Sequence, residues 1–183
     1  LQQYITSILF YIKAKNIDSI IVCDNSGFDY SKITKLITSA KKYSKKIEFL
    51  SFFSNPENTM KHGKGYGEGE IMSFIVDKST LYKNKEKSFF KVTGRITITN
   101  IDTVIRFSSK KKNYFQRIYF NVLNNEEKID TRFYYIKKHT FEKYLINSYK
   151  DVNDNEGLYL EHSYYRGIKG NNIGYSFFNV LPF

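Results

Sequence analysis

The segment from Lys61 to Asn100 holds residue types that bind phosphate groups. Its first nine residues, 61–69, include four glycines, and glycine lets a backbone come close to a ligand. We predict that these nine residues form a loop and that a helix follows from Glu70 to about Leu81. Backbone N–H groups at such a helix start form an anion site, because the helix dipole points the same way. The loop is therefore expected to bind a ligand that carries phosphate.

Cationic side chains in the same segment support this prediction. Lys61 and Lys64 lie in the predicted loop, and Arg95 follows Thr93-Gly94 in a predicted strand. A glycine inside a strand usually marks a bulge or a close approach, which favours a functional role for Arg95. The alternative is that Arg95 lies on a solvated strand face. The first interpretation predicts that the segment binds the diphosphate end of an activated sugar.

Asp24 stands where a predicted buried strand ends. The apolar run from Ile17 to Cys23 is typical of a central parallel strand, and Asp24-Asn25-Ser26-Gly27 follows it. Ligands of open α/β sheets bind at the carboxyl ends of the strands, so Asp24 and Ser26 are candidate binding residues. Asp, Asn, Ser and Gly are also turn formers, and a plain turn is an equally good interpretation.

The hydrophobic pattern of residues 1–100 predicts α/β layers with a mostly parallel central sheet. A helical pattern from Tyr4 to Ile12 comes first, and strands, helices and a loop then alternate up to residue 100. After Asn100 the pattern changes to two strands, Tyr114–Val122 and Lys128–Ile136, and two helices, Thr140–Tyr149 and Leu158–Ile168. We predict one domain over 1–183, with a donor-binding half (1–100) and an acceptor-side half (101–183). Because the chain enters a helix directly at Leu1, an earlier piece is expected to precede it.

Composition leaves two kinds of partner open. The 183 residues carry a formal net charge of +11, which suits nucleic acid or an anionic membrane surface. The same surplus of lysine arises by drift in an AT-rich genome, without selection for binding. The single cysteine, Cys23, cannot form an internal disulfide, which fits a reducing compartment. No apolar run reaches membrane-spanning length, so a cytoplasmic protein is predicted.

Several segments, taken in order, resemble a known enzyme family. They read CDNSG, IEFLSF, GKGYGEGEIM, FFKVTGRITI, DTRFYYI and GLYLEHSYY. Together they resemble bacterial glycosyltransferases of the GT-A type that build capsule or lipooligosaccharide, over about Tyr4 to Ile168. The resemblance implies a nucleotide-sugar-binding α/β domain that moves a sugar to a bacterial surface glycan. It also implies a first strand before Leu1, whose loop often holds the nucleotide base.

One position departs from that family. GT-A enzymes commonly carry an Asp-x-Asp that binds a divalent metal, whereas the matching stretch here reads Lys91-x-Thr93-Gly94-Arg95. A leaving diphosphate needs positive charge, which Lys and Arg can supply. We therefore predict that Lys64, Lys91 and Arg95 fill part of this role. A divalent metal, Mg or Mn, would then be optional, with Asp24 as a helper.

Carboxylates downstream are candidates for proton transfer. Transfer with inversion requires a base for the acceptor hydroxyl, and Glu161 and Asp130 could serve. His162 could be a base, a metal ligand or a phosphate donor, and Asp130 could instead contact substrate together with Arg132. A helix surface pair is the alternative for Glu161 and His162, and a retaining mechanism would need no such base.

Glu68 lies inside the glycine-rich segment. It could bind sugar hydroxyls, or simply favour a helix start by its charge. The donor-binding set predicted from the sequence is Asp24, Ser26, Lys64, Gly65, Glu68, Lys91, Thr93, Gly94 and Arg95.

The expected partners are a nucleotide-sugar donor and a glycan or lipid-linked glycan acceptor. A peripheral contact with the inner face of the membrane fits the acceptor. Nucleic acid is not the expected partner, because the aromatic residues fall in apolar strands and helix faces, where they build a core. A basic nucleic-acid-binding domain and a non-catalytic module of a larger polysaccharide-assembly protein remain the alternative functions.

Overall fold

The computed structural model describes residues 1–108, 112–116 and 128–178. In this part of the chain, short helical and extended segments alternate. The α-helices are α1 (Gln2–Lys13), α2 (Thr34–Lys42), α3 (Pro56–His62), α4 (Lys64–Lys78), α5 (Ile101–Phe107), α6 (Lys138–Tyr144) and α7 (Leu160–Gly170). The strands are β1 (Ser19–Asp24), β2 (Lys46–Ser51), β3 (Ser88–Val92), β4 (Asn113–Gln116), β5 (Asp130–Lys137) and β6 (Tyr175–Phe178). Short 3-10 helices cover Tyr30–Lys32, Ser148–Asp151 and Asp154–Glu156.

The strands form two sheets. β1 and β2 pair in parallel, in register from Ser19 opposite Lys46 to Asp24 opposite Ser51. The other sheet has the order β3-β5-β4-β6, in which β5 is antiparallel to β3 and β4 while β4 and β6 are parallel. The mixed α/β class is therefore confirmed. The prediction of a single, mostly parallel central sheet is wrong for the described residues, because β5 runs against both of its neighbours.

Helices cover both faces of the strands. On one face, Phe133 and Tyr135 of β5 pack with Tyr11 of α1, in a cluster that α5 completes. On the other face, Tyr134 and Ile136 pack in a cluster built with α4, α6 and α7. A third cluster joins α1 and α2 over β1 and β2. The fold is a three-layer arrangement of helices, strands and helices.

Element boundaries differ from the prediction mainly around residues 55–108. α3 was not predicted as a helix. Asn55 caps it by accepting from the N–H of Glu57 at 2.9 Å, and Pro56 is its first residue. α5 was not predicted. β4 confirms the start of the strand predicted at Tyr114–Val122, whose residues beyond Gln116 lie outside the described part. None of the described helices has the length and apolar character needed to cross a membrane.

Candidate functional site

The glycine-rich segment is helical, which corrects the prediction of a loop. α3 ends at His62 and α4 begins at Lys64, so that Gly65, Gly67 and Gly69 lie within α4. The joint is Gly63, whose φ of 93° belongs to the left-handed region that favours glycine. A single glycine therefore makes the turn between two helices, and the other three have a different role.

Those three glycines allow close packing against α4. A Cβ on Gly69 would lie 1.9 Å from Cβ of Tyr149, and one on Gly65 would lie 3.1 Å from Cβ of Leu160. A Cβ on Gly67 would come within 3.2 Å of Nδ2 of Asn25. The glycines thus let three distant segments touch one helix, and phosphate binding is not needed to explain them.

A carboxylate already occupies the start of α4. Oδ2 of Asp154 accepts from the backbone N–H groups of Lys64 at 2.7 Å and Gly65 at 3.5 Å. The loop that carries Asp154 is tied down further, since Nδ2 of Asn155 donates to the carbonyl of Lys61 at 3.2 Å. The helix start, predicted at Glu70 as an anion site, is therefore at Lys64, and there Asp154 supplies the anion that the helix dipole favours.

Further along α4, two glutamates tie the helix to both sheets. The Glu70 carboxylate accepts from the hydroxyl of Ser54, which follows β2. The Glu68 carboxylate pairs with Lys91 of β3, with Oε1 and Nζ 2.5 Å apart. Glu68 therefore joins this helix to the strand that carries the other predicted donor-binding residues.

Lys91 is the centre of a buried polar network. Its side chain is 9% exposed, and Nζ donates to Oε1 of Glu68, to Oγ1 of Thr93 at 3.0 Å and to the carbonyl of Thr131 at 2.7 Å. An ammonium group has three N–H donors, so all of them are used. Lys91 thus acts as the internal counter-ion of Glu68 in this structure and has no donor left for a phosphate.

Thr131 links this network to Glu161. Its hydroxyl donates to Oε1 of Glu161 at 3.0 Å, and the backbone carbonyl of Glu161 accepts from the N–H of Ile129 at 3.3 Å. Glu161 lies in the first turn of α7, half-buried. The predicted base is therefore fixed against β5 rather than lying free on a helix surface.

Asp130 and Arg132 form a second ion pair at the start of β5. Nε and Nη2 of Arg132 donate to the Asp130 carboxylate at 2.5–3.0 Å. The Asp130 side chain is 3% exposed, whereas that of Arg132 is 56% exposed. Hydrogen bonding to Asp130 raises the pKa of Arg132 further above its usual value. The Asp130 carboxylate is buried and held by Arg132, so it is not free to reach an acceptor hydroxyl. Arg132 is the exposed cation beside Glu161.

The pairing of β5 with β4 is irregular near Asp130 and Arg132. The register with β4 steps from Phe115 opposite Tyr134 to Gln116 opposite Asp130, so three β5 residues have no partner on β4. Bulges of this kind re-aim side chains and are common near active sites. Nothing in the sequence signals the bulge.

Two buried tyrosines lie beneath the network. Burial raises the pKa of both Tyr134 and Tyr164, and each lies close enough to affect the other. The Tyr134 hydroxyl nevertheless meets no partner with hydrogen-bond geometry in the described residues. The charge of Glu68 adds to both shifts, which places this carboxylate near the pair.

His162 has a structural contact. Its Nδ1 accepts from the backbone N–H of Tyr159 at 3.2 Å, and its ring stacks on that of Tyr159 at a centroid distance of 5.5 Å. Desolvation, followed by the charge of Lys128, lowers the pKa of His162, which favours the neutral ring that such an acceptor needs. His162 therefore caps the first turn of α7.

Asp24 ends β1 in a turn, as the plainer interpretation predicted. Its Oδ1 accepts from the N–H of Ser26 at 2.8 Å and from the hydroxyl of Ser26 at 2.5 Å. Asn25 lies against Gly67 of α4, so the carboxyl end of β1 reaches the same half of α4 that carries Glu68. Asp24 and Ser26 are thus placed at the edge of the network without belonging to it.

Arg95 and Gly94 lie in a turn after β3, not inside a strand. β3 ends at Val92, and a Cβ on Gly94 would come within 2.8 Å of the ring of Tyr4. The exposed guanidinium of Arg95 lies over the same ring, 5.9 Å from its centroid. The glycine does mark a close approach, but the group that approaches is an aromatic ring of α1. Lys64, Lys91 and Arg95 therefore have three different environments.

The reactivity of the Cys23 thiol tests whether the carboxyl end of β1 is desolvated as the structure shows. Desolvation, helped by the adjacent charge of Asp24, raises the pKa of its thiol from 9.0 to about 12. Only the thiolate is nucleophilic, so iodoacetamide at pH 8 is expected to alkylate Cys23 about a thousandfold more slowly than a free cysteine. Mass spectrometry of the folded protein measures this rate, with the urea-unfolded protein as control. Equal rates in the two states would contradict the placement of Cys23.

Hydrogen bonds bring four of the predicted site residues together in one network, Glu68, Lys91, Thr93 and Glu161, with Thr131 as the link to Glu161. Asp130 precedes Thr131 in β5, and the turn that holds Asp24 and Ser26 approaches Gly67 of α4 through Asn25. Three further residues were not selected as site residues from the sequence: Thr131 belongs to the network, Arg132 pairs with Asp130, and Asp154 binds the start of α4. Within the described residues, no three His, Cys, Asp or Glu side chains are grouped so that they could hold a metal ion.

The chain was compared with protein-family models, with curated proteins and with solved structures, and none of them matches it.

Proposed function

We propose that this protein is a glycosyltransferase that moves a sugar from a nucleotide-diphosphate-sugar donor to a bacterial surface glycan. The proposal draws on the resemblance of its ordered sequence segments to GT-A enzymes and on the residues that meet beside α4. In this proposal the fold is GT-A-like, the acceptor is a glycan or lipid-linked glycan, and the protein works in the cytoplasm at the inner face of the membrane.

One observation carries the proposal. Hydrogen bonds connect Glu68, Lys91, Thr131 and Glu161 in one continuous chain, although these residues come from α4, β3, β5 and α7. This chain lies where β3 ends and where the turn after β1 reaches α4. Ligands of open α/β sheets bind beyond the carboxyl ends of parallel strands. β1 is such a strand, and the turn after it reaches α4 next to Glu68, which supports a donor site beside the network.

The contacts suggest a division of roles that differs from the sequence prediction. Glu161 would act as the base for the acceptor hydroxyl, held by Thr131. Glu68, 24% exposed and held by Lys91, would bind sugar hydroxyls. Nε and Nη2 of Arg132 already donate to Asp130, so the exposed guanidinium would bind the diphosphate through the remaining N–H groups on its Nη1 side, in the role first predicted for Lys91. Lys64 and Arg95 are exposed, but neither contacts the network in the described residues, so neither is given a role in donor binding.

A divalent metal remains optional in this proposal. Mg²⁺ is usually held by substrate phosphates with one or two protein carboxylates and several waters. Asp24 fits such a partial role, since the contacts to Ser26 use only its Oδ1. A metal bound there would neutralise charge on the diphosphate, and the chain's own residues would orient the two substrates.

The direct test is ligand-induced stabilisation of the full-length protein. UDP- and GDP-sugars are added separately at about 100 times their dissociation constants, which stabilises a protein by about 2.7 kcal/mol. For a protein of this size, one class of donor is then expected to raise Tm by roughly 5–10 °C. Released nucleotide, measured with glycan acceptors present, reports turnover.

Matched variants separate the site from the background. Arg132→Lys keeps the charge beside Asp130 but loses the bidentate fork, so it is expected to weaken donor binding about tenfold. Glu86→Gln changes an exposed carboxylate just before β3, at the strand end opposite the network, and should leave binding unchanged. Salt-sensitive oligonucleotide binding with no effect of any donor would overturn the proposal in favour of nucleic-acid binding. Binding of neither ligand class would favour a non-catalytic module.

A further inference from the structure

β1 and β3 belong to different sheets, yet they lie in the same layer. On one face, Ile20 of β1 and Phe90 and Val92 of β3 pack against the same buried cluster. On the other face, Cys23 of β1 and Phe89 of β3 pack against a second common cluster. The first cluster includes α1 and the second includes α4. The same two helices therefore cover both strands, although the strands are not hydrogen-bonded to each other.

The two strands also point the same way. Asn25, which follows β1, lies beside Gly67 of α4. Lys91 and Thr93, at the end of β3, contact Glu68 in the same turn of α4. Because both carboxyl ends reach one place on α4, β1 and β3 run in roughly the same direction.

One edge of β1 pairs with no strand of the described residues, and the hydrogen bonds to β2 show which edge it is; we call it the open edge. The carbonyl of Asp18 accepts from the N–H of Lys46, and the carbonyl of Asp24 accepts from the N–H of Phe52. The backbone N–H and C=O groups of successive residues point to opposite edges of a strand, so those of the even-numbered residues from 18 to 24 point towards β2. The backbone N–H and C=O groups of Ser19, Ile21 and Cys23 point away from β2.

The same reasoning gives the open edge of β3. Thr93 donates to the carbonyl of Arg132, and the carbonyl of Lys87 accepts from the N–H of Lys138. The backbone N–H and C=O groups of the odd-numbered residues from 87 to 93 therefore face β5. The backbone groups of Ser88, Phe90 and Val92 face the opposite edge, where no strand of the described residues pairs with them.

We propose that one extended strand fits between β1 and β3, parallel to both, and joins the two sheets into one. Its backbone would bond to the odd-numbered residues 19, 21 and 23 on one side and to the even-numbered residues 88, 90 and 92 on the other. Its side chains would be apolar on both faces, because α1 and α4 cover the layer from above and below. The inference does not rest on the proposed function.

The position of α1 indicates where this strand comes from. α1 and α2 pack on the same face of β1 and β2, and crossovers between parallel strands are right-handed in about 98% of cases. A strand that enters α1 must then lie beside β1 on the side away from β2, which is the open edge. Tyr4, in the first turn of α1, meets Gly94 just past the end of β3. The strand is therefore polypeptide continuous with the start of α1, and it would end beside the candidate site.

Residue-resolved hydrogen–deuterium exchange on the natural full-length protein tests this. The amides of Ile21, Cys23, Phe90 and Val92 are expected to exchange at least about 100-fold more slowly than unprotected amides. Free edges would instead give protection that alternates along each strand. The amides of Ile20 and Val22, bonded to β2, are the internal reference for full protection. Fast exchange at the four edge amides beside slow exchange at this reference would overturn the proposal.

The source of the strand is tested by dilution. A strand of the same polypeptide protects these amides equally over a roughly hundredfold range of protein concentration, because its contact is intramolecular. Protection that falls on dilution would show that a second copy or a partner supplies the strand, and would overturn the assignment to polypeptide joined to α1.

Discussion

Full-length protein carrying Glu161→Gln is expected to transfer sugar about 10²–10⁴-fold more slowly than the wild type, with donor binding unchanged. Glutamine keeps the size of the side chain and can still accept from the Thr131 hydroxyl, which lies 3.0 Å from Oε1 of Glu161. It cannot take a proton from the acceptor hydroxyl. The loss should therefore appear in kcat, while the donor-induced rise in Tm stays as in the wild type.

Two further variants separate a chemical role of Glu161 from a structural one. Glu86→Gln, in the exposed turn before β3, should keep the wild-type rate. Thr131→Val leaves the carboxylate in place but removes its anchor, and an intermediate loss of rate is expected. If Glu161→Gln retains most of the wild-type turnover, Glu161 is not the base, and a retaining mechanism becomes the better explanation.

Local patterns in the sequence are sufficient to predict the parallel pair. The apolar run 17–23 predicts β1, and the alternation of strands and helices after it predicts a crossover to a second, parallel strand; the structure confirms this order. Asp24 is the last residue of β1, as predicted. These features depend on neighbours along the chain, which are visible in a single sequence.

The glycines of α4 show why the rest could not be predicted. Glycine suits a phosphate loop and a closely packed helix equally well, and the choice depends on what approaches it. Here Tyr149 lies against Gly69, and Asp154 binds the start of the helix. Both come from about 80–90 residues further along the chain, and no local signal connects them to α4.

Several of the residues selected from the sequence take part in the network, but their contacts could not be predicted. Lys91 and Glu161 were selected separately, as a phosphate ligand and as a base, and Thr131 connects them. The sequence could not reveal that the three N–H groups of Lys91 are already used, since its acceptors lie on α4 and β5. Arg132, the exposed cation, was considered only together with Asp130, as a possible contact of the substrate, and was not selected as a site residue by itself. A cation that alternates with a buried acid at the start of a strand is the signal that could have selected it.

Replacing Lys91 with Met is expected to lower the free energy of unfolding by about 3 kcal/mol. Removing one partner of a buried ion pair typically costs 3–5 kcal/mol, because the other charge is left uncompensated. We expect the lower end of this range for Lys91, because 24% of the Glu68 side chain is exposed to solvent. At about 2–4 °C per kcal/mol for a chain of this size, Tm should fall by roughly 6–12 °C.

The matched control is Lys78→Met. Lys78 pairs with Asp77 at 2.9 Å, but the two side chains are 58% and 68% exposed, and such surface pairs contribute at most about 1 kcal/mol. Urea denaturation of both variants therefore isolates the effect of burial. If Lys91→Met lowers the free energy of unfolding no more than Lys78→Met does, the buried network is contradicted.

The double variant Lys91→Met with Glu68→Gln then separates stability from function. Removing both charges is expected to restore part of the lost stability, and the two changes should be non-additive by about 1 kcal/mol or more because the residues are in contact. If Glu68 also binds sugar hydroxyls, this stabilised double variant stays deficient in donor binding. A double variant that regains both stability and donor binding would show that Glu68 and Lys91 only hold α4 against β3, and the donor would then have to be bound by Arg132 and the residues around Asp24.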